Sequence, residues 1–173
     1  MSHVAIVTGA GAGIGQATAK MLHERGYQVV VVDLNTEALA WTVGVEGLLG
    51  VVADVSVESD NEAMVAAALE TFGGLDVLVL NAGIARRTHW EAEDAVDAYD
   101  RIMSVNARGV VLGIRHAAPK MAERGGGSIV VVASTSGVRA DPERFAYNAS
   151  KAQRSIWLAR RHSTGVCAEC AST

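Results

Sequence analysis

Proline and cysteine are both scarce in this chain, at 2 of each in 173 residues. With so little proline, long stretches are free to form helix and strand. Both cysteines, Cys167 and Cys170, stand close to the end, so the main body holds no disulfide. Positive charge is not in excess either. Lys plus Arg number 15 against 19 Asp plus Glu, a formal net charge of −4, which argues against a nucleic-acid partner. No apolar run approaches the ~20 residues of a membrane span. The opening MSHVAIVTGA has neither the charged region nor the apolar core of a signal peptide. These absences point to a soluble, cytoplasmic protein. What the chain does have is 50% hydrophobic residues and 18 glycines, a composition that suits one α/β domain with a sizeable core.

Short β-branched runs recur at 4–8 (VAIVT), 28–33 (QVVVVD), 48–54 (LLGVVAD), 75–81 (LDVLVLN) and 128–134 (SIVVVAS). Near-continuous apolar strands of this kind are buried on both faces, as in parallel sheets. Helical segments lie between them, at roughly 13–25, 36–43, 58–72 and 92–124. Ser56 or Ser59 is the expected cap of the third, and Gly73-Gly74 its end. Gly125-Gly126-Gly127 ends the fourth, with Pro119 kinking it or marking its weakened last turns. Strand–helix alternation predicts a doubly wound parallel sheet with right-handed crossovers.

The segment TGAGAGIG (8–15) follows the first strand and opens the first helix. Gly9, Gly13 and Gly15 permit a tight turn and close backbone approach. The helix start there, at Gly13, Ile14 and Gly15, offers free N–H groups and a positive dipole end to a pyrophosphate. The alternative is a plain glycine turn, and the strand–loop–helix context weighs against it. Asp33 closes the second strand. A carboxylate there accepts from ribose hydroxyls and repels a 2′-phosphate, so NAD is expected over NADP. No Arg or Lys occupies 34–36 to reverse that preference. The alternative role for Asp33 is that of a turn residue.

Together these motifs resemble the short-chain dehydrogenase/reductase family, from Val4 to about Ala152. TGAGAGIG resembles the family's TGxxxGxG, and Asp54-Val55 resembles the pair that contacts adenine. Asn81-Ala82-Gly83 resembles the NAG motif after the fourth strand. Asn106 resembles the helix asparagine, and Ser134 the serine after the fifth strand. Tyr147 and Lys151 resemble YxxxK. The resemblance implies a Rossmann-type doubly wound sheet, a single NAD-binding domain over 1–173 and a secondary alcohol or ketone as substrate. It also implies a homo-oligomer, packed partly through the helix that carries Tyr147.

The chemistry follows from the residue types. Tyr147 and Lys151, four apart, share one face of a helix. A free phenol has a pKa of about 10, too high for a base at neutral pH. A nearby ammonium and the positive nicotinamide favour the phenolate. Tyr147 then takes the alcohol proton while a hydride passes to the cofactor. Ser134 hydrogen-bonds the substrate oxygen. The family implies that Lys151 also holds the nicotinamide ribose and that Asn106 places a water in a proton relay. The alternatives are a packing tyrosine and a serine that merely caps a turn, and the joint spacing weighs against both.

Other residues carry less. His3, His23, His89, His116 and His162 show no paired metal spacing, and no metal is expected. Arg86, Arg87, His89 and Trp90 border a substrate pocket or form a solvated loop. The tail motif CAEC (167–170) is half of a zinc site or a dithiol, without a second pair.

After Lys151 the family adds a sixth strand, a Pro-Gly loop touching the nicotinamide, a substrate lid and a seventh strand, and none is legible in residues 153–173. Five strands of the family's seven are therefore expected, with SIVVVAS left as an uncovered apolar edge. The rival reading is an NAD-binding fold without turnover. Back-translation from the third base of the Ala152 codon can spell AAVNLARATALDWGVRGVRVN, which resembles the family's continuation. The expectation is a one-base deletion near that codon, with the residues beyond it out of frame. Reading the coding DNA checks this: a single-base change should restore a family-like continuation, and the idea fails if none does.

Overall fold

Each of the five apolar runs is a strand: β1 (Val4–Thr8), β2 (Gln28–Asp33), β3 (Leu48–Val52), β4 (Val77–Leu80) and β5 (Gly127–Val132). The computed structural model describes residues 2–139, 141–152 and 166–171. Among the described residues, five α-helices accompany the strands: α1 (Gly13–Glu24), α2 (Glu58–Phe72), α3 (Ala95–Met103), α4 (Gly109–Glu123) and α5 (Phe145–Ala152).

The strands are two-faced because alternate side chains point to opposite sides of a pleated sheet. Val4, Ile6, Val30, Val32, Leu78 and Ile129 pack on one side with Met64, Val65 and Ala68 of α2 and Ala117 and Met121 of α4. Ala5, Val7, Val29, Val31 and Val79 pack on the other with Ala19 of α1 and with Leu39. Every pairing between neighbouring strands is parallel, and the order is β3-β2-β1-β4-β5-β6. The chain winds outward from β1 to β3, then crosses to β4 on the other side of β1. That reversal opens a crevice beyond the C-terminal ends of β1 and β4, where ligands of such sheets bind.

The sixth strand, β6 (Val166–Ala171), is a correction to the sequence expectation. It pairs with β5 from Gly127↔Val166 to Val132↔Ala171, so β5 is not an uncovered edge. An exposed parallel edge presents a row of unpaired N–H and C=O groups, and the extended tail segment supplies a ladder for them. CAEC therefore lies within β6. The expected frame change falls largely on residues 153–165, and these, with His162, lie outside the described residues.

Three local expectations also change. The segment near 36–43 is a 3-10 turn, Glu37–Thr42, in which the Thr42 hydroxyl donates to Leu39 O at 2.8 Å. The long helix over 92–124 is instead α3, a π-helical turn Ser104–Arg108, and α4. Where α4 begins, a Cβ at Gly109 would lie 3.0 Å from Val55 Cγ2, so the helix passes tightly beside the loop after β3. Neither Ser56 nor Ser59 caps α2, whose N-cap is Val57 with no side-chain bond. Ser56 donates to Asp54 instead, at 2.6 Å, and Ser59 to Asp60 at 3.3 Å. Gly73, at φ +78°, ends α2 as expected. α4 runs through Pro119 and ends ahead of Gly125 and Gly126, both at positive φ.

Ile6 is fully buried in the sheet centre. Ile6→Ala should lower the unfolding free energy by about 2–5 kcal/mol, measured by urea denaturation as a shifted midpoint with an unchanged slope.

Candidate active site

The glycine-rich loop turns at Gly9, where φ is +63°. A Cβ there would lie 2.8 Å from Ala82 Cα, and one at Gly15 would collide with the Gly9 carbonyl. A side chain at either position would run into neighbouring backbone, so only glycine lets the loop close against Ala82 and the start of α1. Gly13, at φ +56°, starts α1. The N-cap, Ala12, offers no side-chain bond, and the first turn holds no acidic residue. The first N–H groups of α1 thus have no side-chain acceptor within the loop. Ile14 is exposed beside them.

Asp33 is fixed at the end of β2. Its Oδ2 accepts from Gly11 N at 2.9 Å and its Oδ1 from Asn35 N at 3.0 Å. A cavity of about 150 Å³ runs past it, lined by Gly9, Asp33, Asp54, Val55, Ala82, Gly83 and Arg101 among others. Asp54 accepts from the Ser56 hydroxyl at 2.6 Å and from Ser56 N at 2.9 Å. The Ser56 hydroxyl, foremost, holds the Asp54 carboxyl below the usual carboxylate range, and Arg101, 3.5 Å away, adds to this.

The NAG segment is clasped to the end of β1. Thr8 Oγ1 accepts from Asn81 N and Ala82 N, both at 3.1 Å, and donates to Val79 O at 3.3 Å. Asn81 Nδ2 donates to Thr8 O and Gly9 O, both at 3.0 Å. Asn81 therefore holds the backbone of the crevice. Thr8 was not among the expected site residues, although it is the first residue of the TGxxxGxG match.

Asn106 is buried in the π-helical turn. Its Oδ1 accepts from Ile84 N at 2.8 Å, and its Nδ2 donates to Ile84 O at 2.9 Å and Ser150 Oγ at 3.0 Å. The Ser150 hydroxyl donates in turn to Tyr147 O at 2.8 Å. Asn106 thus ties the segment after β4 to the helix bearing Tyr147 and Lys151. Lys151 Nζ donates to Val132 O at 2.8 Å and stands 5.8 Å from the centroid of the Tyr147 ring. Burial pushes the Lys151 ammonium below its ordinary pKa. A Cβ at Gly83 would lie 3.7 Å from that ammonium. Ser134 N-caps the turn Thr135–Gly137, its Oγ accepting from Ser136 N at 3.2 Å. Gly137 of that turn packs against the Lys151 backbone.

The loop after β4 is solvent-exposed at Arg86, Arg87, His89 and Trp90, and surface contacts tie it down. Arg86 pairs with Asp94 at 2.5 Å and Arg87 with Glu143 at 3.2 Å. Trp90, largely exposed, stacks on Phe145 with centroids 5.9 Å apart. Among the described residues, no three His, Cys, Asp or Glu side chains group as a metal site.

A parallel sheet of this order, with a glycine loop at its switch point, is a Rossmann-type fold. The short chain dehydrogenase family matches over residues 3–158, and the chain belongs to that family. It is similar to 2-(R)-hydroxypropyl-CoM dehydrogenase of Xanthobacter autotrophicus, at 42% identity over 87% of this chain and 64% of the relative. It is similar to 4-formylbenzenesulfonate dehydrogenase TsaC1/TsaC2 of Comamonas testosteroni, at 41% identity over 86% of this chain and 61% of the relative. Among solved structures, a 3-ketoacyl-(acyl-carrier-protein) reductase from Brucella melitensis complexed with NADH superposes with a TM-score of 0.87. That match has 34% identity and covers 98% of this chain and 75% of the other. The chain spans about three fifths of the length of the curated relatives it matches.

The lowered pKa of Lys151 has a measurable consequence. Between that lowered value and the ordinary 10.5, the folded state binds fewer protons than the unfolded state. Stability attributable to Lys151 therefore rises with pH across this window. Urea unfolding at a series of alkaline pH values should show the rise in the wild type and its loss in Lys151→Met. Parallel curves for the two proteins would contradict it.

Proposed function

We propose that this chain is the nucleotide-binding and catalytic part of an NAD-dependent oxidoreductase that interconverts a secondary alcohol and a ketone. One observation carries the reading. The partly buried Lys151 ammonium stands beside the Tyr147 ring, on the helix that Asn106 ties to the segment after β4.

The residues present fit a dinucleotide. Gly9 and Gly15 let the loop pack tightly against Ala82 and itself, where any Cβ would clash, and the uncapped start of α1 suits a pyrophosphate. When bound, the nicotinamide supplies the hydride acceptor for alcohol oxidation. The chain's own residues do the rest. Gly13, Ile14 and Gly15 receive phosphate at the helix start. Asp33 takes ribose hydroxyl hydrogens with the lone pairs its backbone bonds leave free. Asp54, Val55, Ala82 and Gly83 wall the adenosine side, and Asn81 holds that wall in place. Lys151, with one proton given to Val132 O, has others for the nicotinamide ribose. Tyr147 takes the alcohol proton as the carbon–hydrogen bond gives up its electron pair with the hydride, and Ser134 hydrogen-bonds the same oxygen. Asn106, whose amide is spent on Ile84 and Ser150, acts as a positioning residue for the helix that carries Tyr147 and Lys151.

Relatives named as dehydrogenases and solved neighbours complexed with NADH and NAD support this reading. No described helix is long and apolar enough to cross a membrane. A cytoplasmic homo-oligomer and a single domain over residues 1–173 complete the proposal.

Because the chain spans only part of its relatives, binding is tested before turnover. Nicotinamide fluorescence should show NADH binding at least about tenfold tighter than NADPH, since Asp33 faces the extra phosphate with a like charge. Asp33→Asn should narrow that gap. Equal binding of both cofactors would sink the Asp33 assignment, and binding of neither would sink the dinucleotide site. Turnover of a secondary alcohol, lost in Tyr147→Phe, separates an enzyme from a fold that only binds.

A further inference from the structure

Four arginines stand on the two segments that meet at the Thr88↔Arg144 bridge or lead into it. Three are committed to carboxylates. Arg86 pairs with Asp94, Arg87 with Glu143, and Arg144 with Asp141 at 3.5 Å. Arg139 has no carboxylate partner among the described residues. It lines a cavity of about 330 Å³ with Thr135, Ser136, Asp141 and Pro142.

That cavity adjoins the catalytic set. Ser134 is the residue before Thr135, and its Oγ takes the Ser136 N–H. Arg139 N donates to Thr135 O at 3.0 Å, which fixes the arginine's backbone against the same turn. The one acidic group in the lining is already engaged. Asp141 Oδ1 accepts from Glu143 N at 3.1 Å, and its Oδ2 faces Arg144. Arg139 and Arg144 against Asp141 leave one positive charge in excess beside two hydroxyls. A guanidinium fork with nearby O–H donors matches a carboxylate or a comparable oxyanion, and its planar geometry discriminates in favour of such groups. A neutral, apolar substrate end would find little here to replace its lost water.

We propose that this cavity is an anion subsite for the substrate, with Arg139 the residue that selects a carboxylate or similar oxyanion on the alcohol or ketone. The inference deepens the functional reading above and rests on it for the identity of the reacting group. Arg139 is exposed, so its pull on an anion is screened by salt.

The test compares keto acids with their neutral esters, using levulinate and para-acetylbenzoate against the two methyl esters. Ligand-observed NMR titrations on the full chain read binding without turnover. At least one acid should bind about tenfold or more tightly than its ester. That preference should collapse in Arg139→Gln, persist in part in Arg139→Lys, and shrink as salt is raised. An unchanged thermal midpoint shows that the variants are folded. Equal affinity of acid and ester for both pairs overturns the proposal, as does a preference that survives in Arg139→Gln. NADH titration of the same samples keeps the two readings apart. A chain that binds NADH but ignores the acid charge loses only the subsite. A chain that selects the acid through Arg139 but binds no NADH loses only the cofactor reading.

Discussion

The clasp between the ends of β1 and β4 is the interaction on which the rest of the site depends. At the switch point of a doubly wound sheet, neighbouring strands send their continuations to opposite sides, and the backbone at their ends loses its ladder. Thr8 and Asn81 replace it. One hydroxyl accepts from two peptide N–H groups, and one amide donates to two peptide carbonyls. With that edge fixed, Gly9 lies flat against Ala82 and α1 starts over an open crevice. Without the clasp, an unsatisfied peptide group would collapse the crevice or draw water into it.

A second constraint is electrostatic. A lysine ammonium removed from water is disfavoured unless something holds it, and Lys151 is held by a carbonyl at the end of β5. No carboxylate neutralises it among the described residues. Its charge is thus available to the Tyr147 ring beside it. Asn106 sets that arrangement, because its amide bonds join the segment after β4 to α5. A π-turn, common at functional positions, brings it there in the middle of an otherwise regular helical stretch.

Much of this was legible in the residues. Apolar runs such as VAIVT and QVVVVD are strands because two-sided burial demands unbroken hydrophobicity. Tyr147 and Lys151 meet because a helix places positions four apart on one face. Gly73 ends α2 because it alone tolerates the left-handed conformation there. Elsewhere local pattern was a poor guide. Ser56 and Ser59 both look like caps, yet nearby aspartates bind their hydroxyls first. The 3-10 turn Glu37–Thr42 scans as helix because propensity does not register the tight fit of Gly50 against Thr42. β6 was missed because edge pairing answers to the unpaired backbone of β5, and a small-residue stretch such as VCAECA gives no strong periodic signal.

The sequence by itself determined the layered fold, the glycine cradle, and the residue types that meet at the crevice. Each of these follows from local sterics or from the period of a helix or strand. Only the tertiary structure decided that Asn106 spends its amide on a neighbouring segment and that Lys151 is partly buried and donates to a carbonyl. It also decided that Arg139, alone among the four arginines of those segments, lines a cavity with no carboxylate partner among the described residues. Those properties depend on which distant groups become neighbours, and hydrogen bonding and desolvation are settled by neighbours in space.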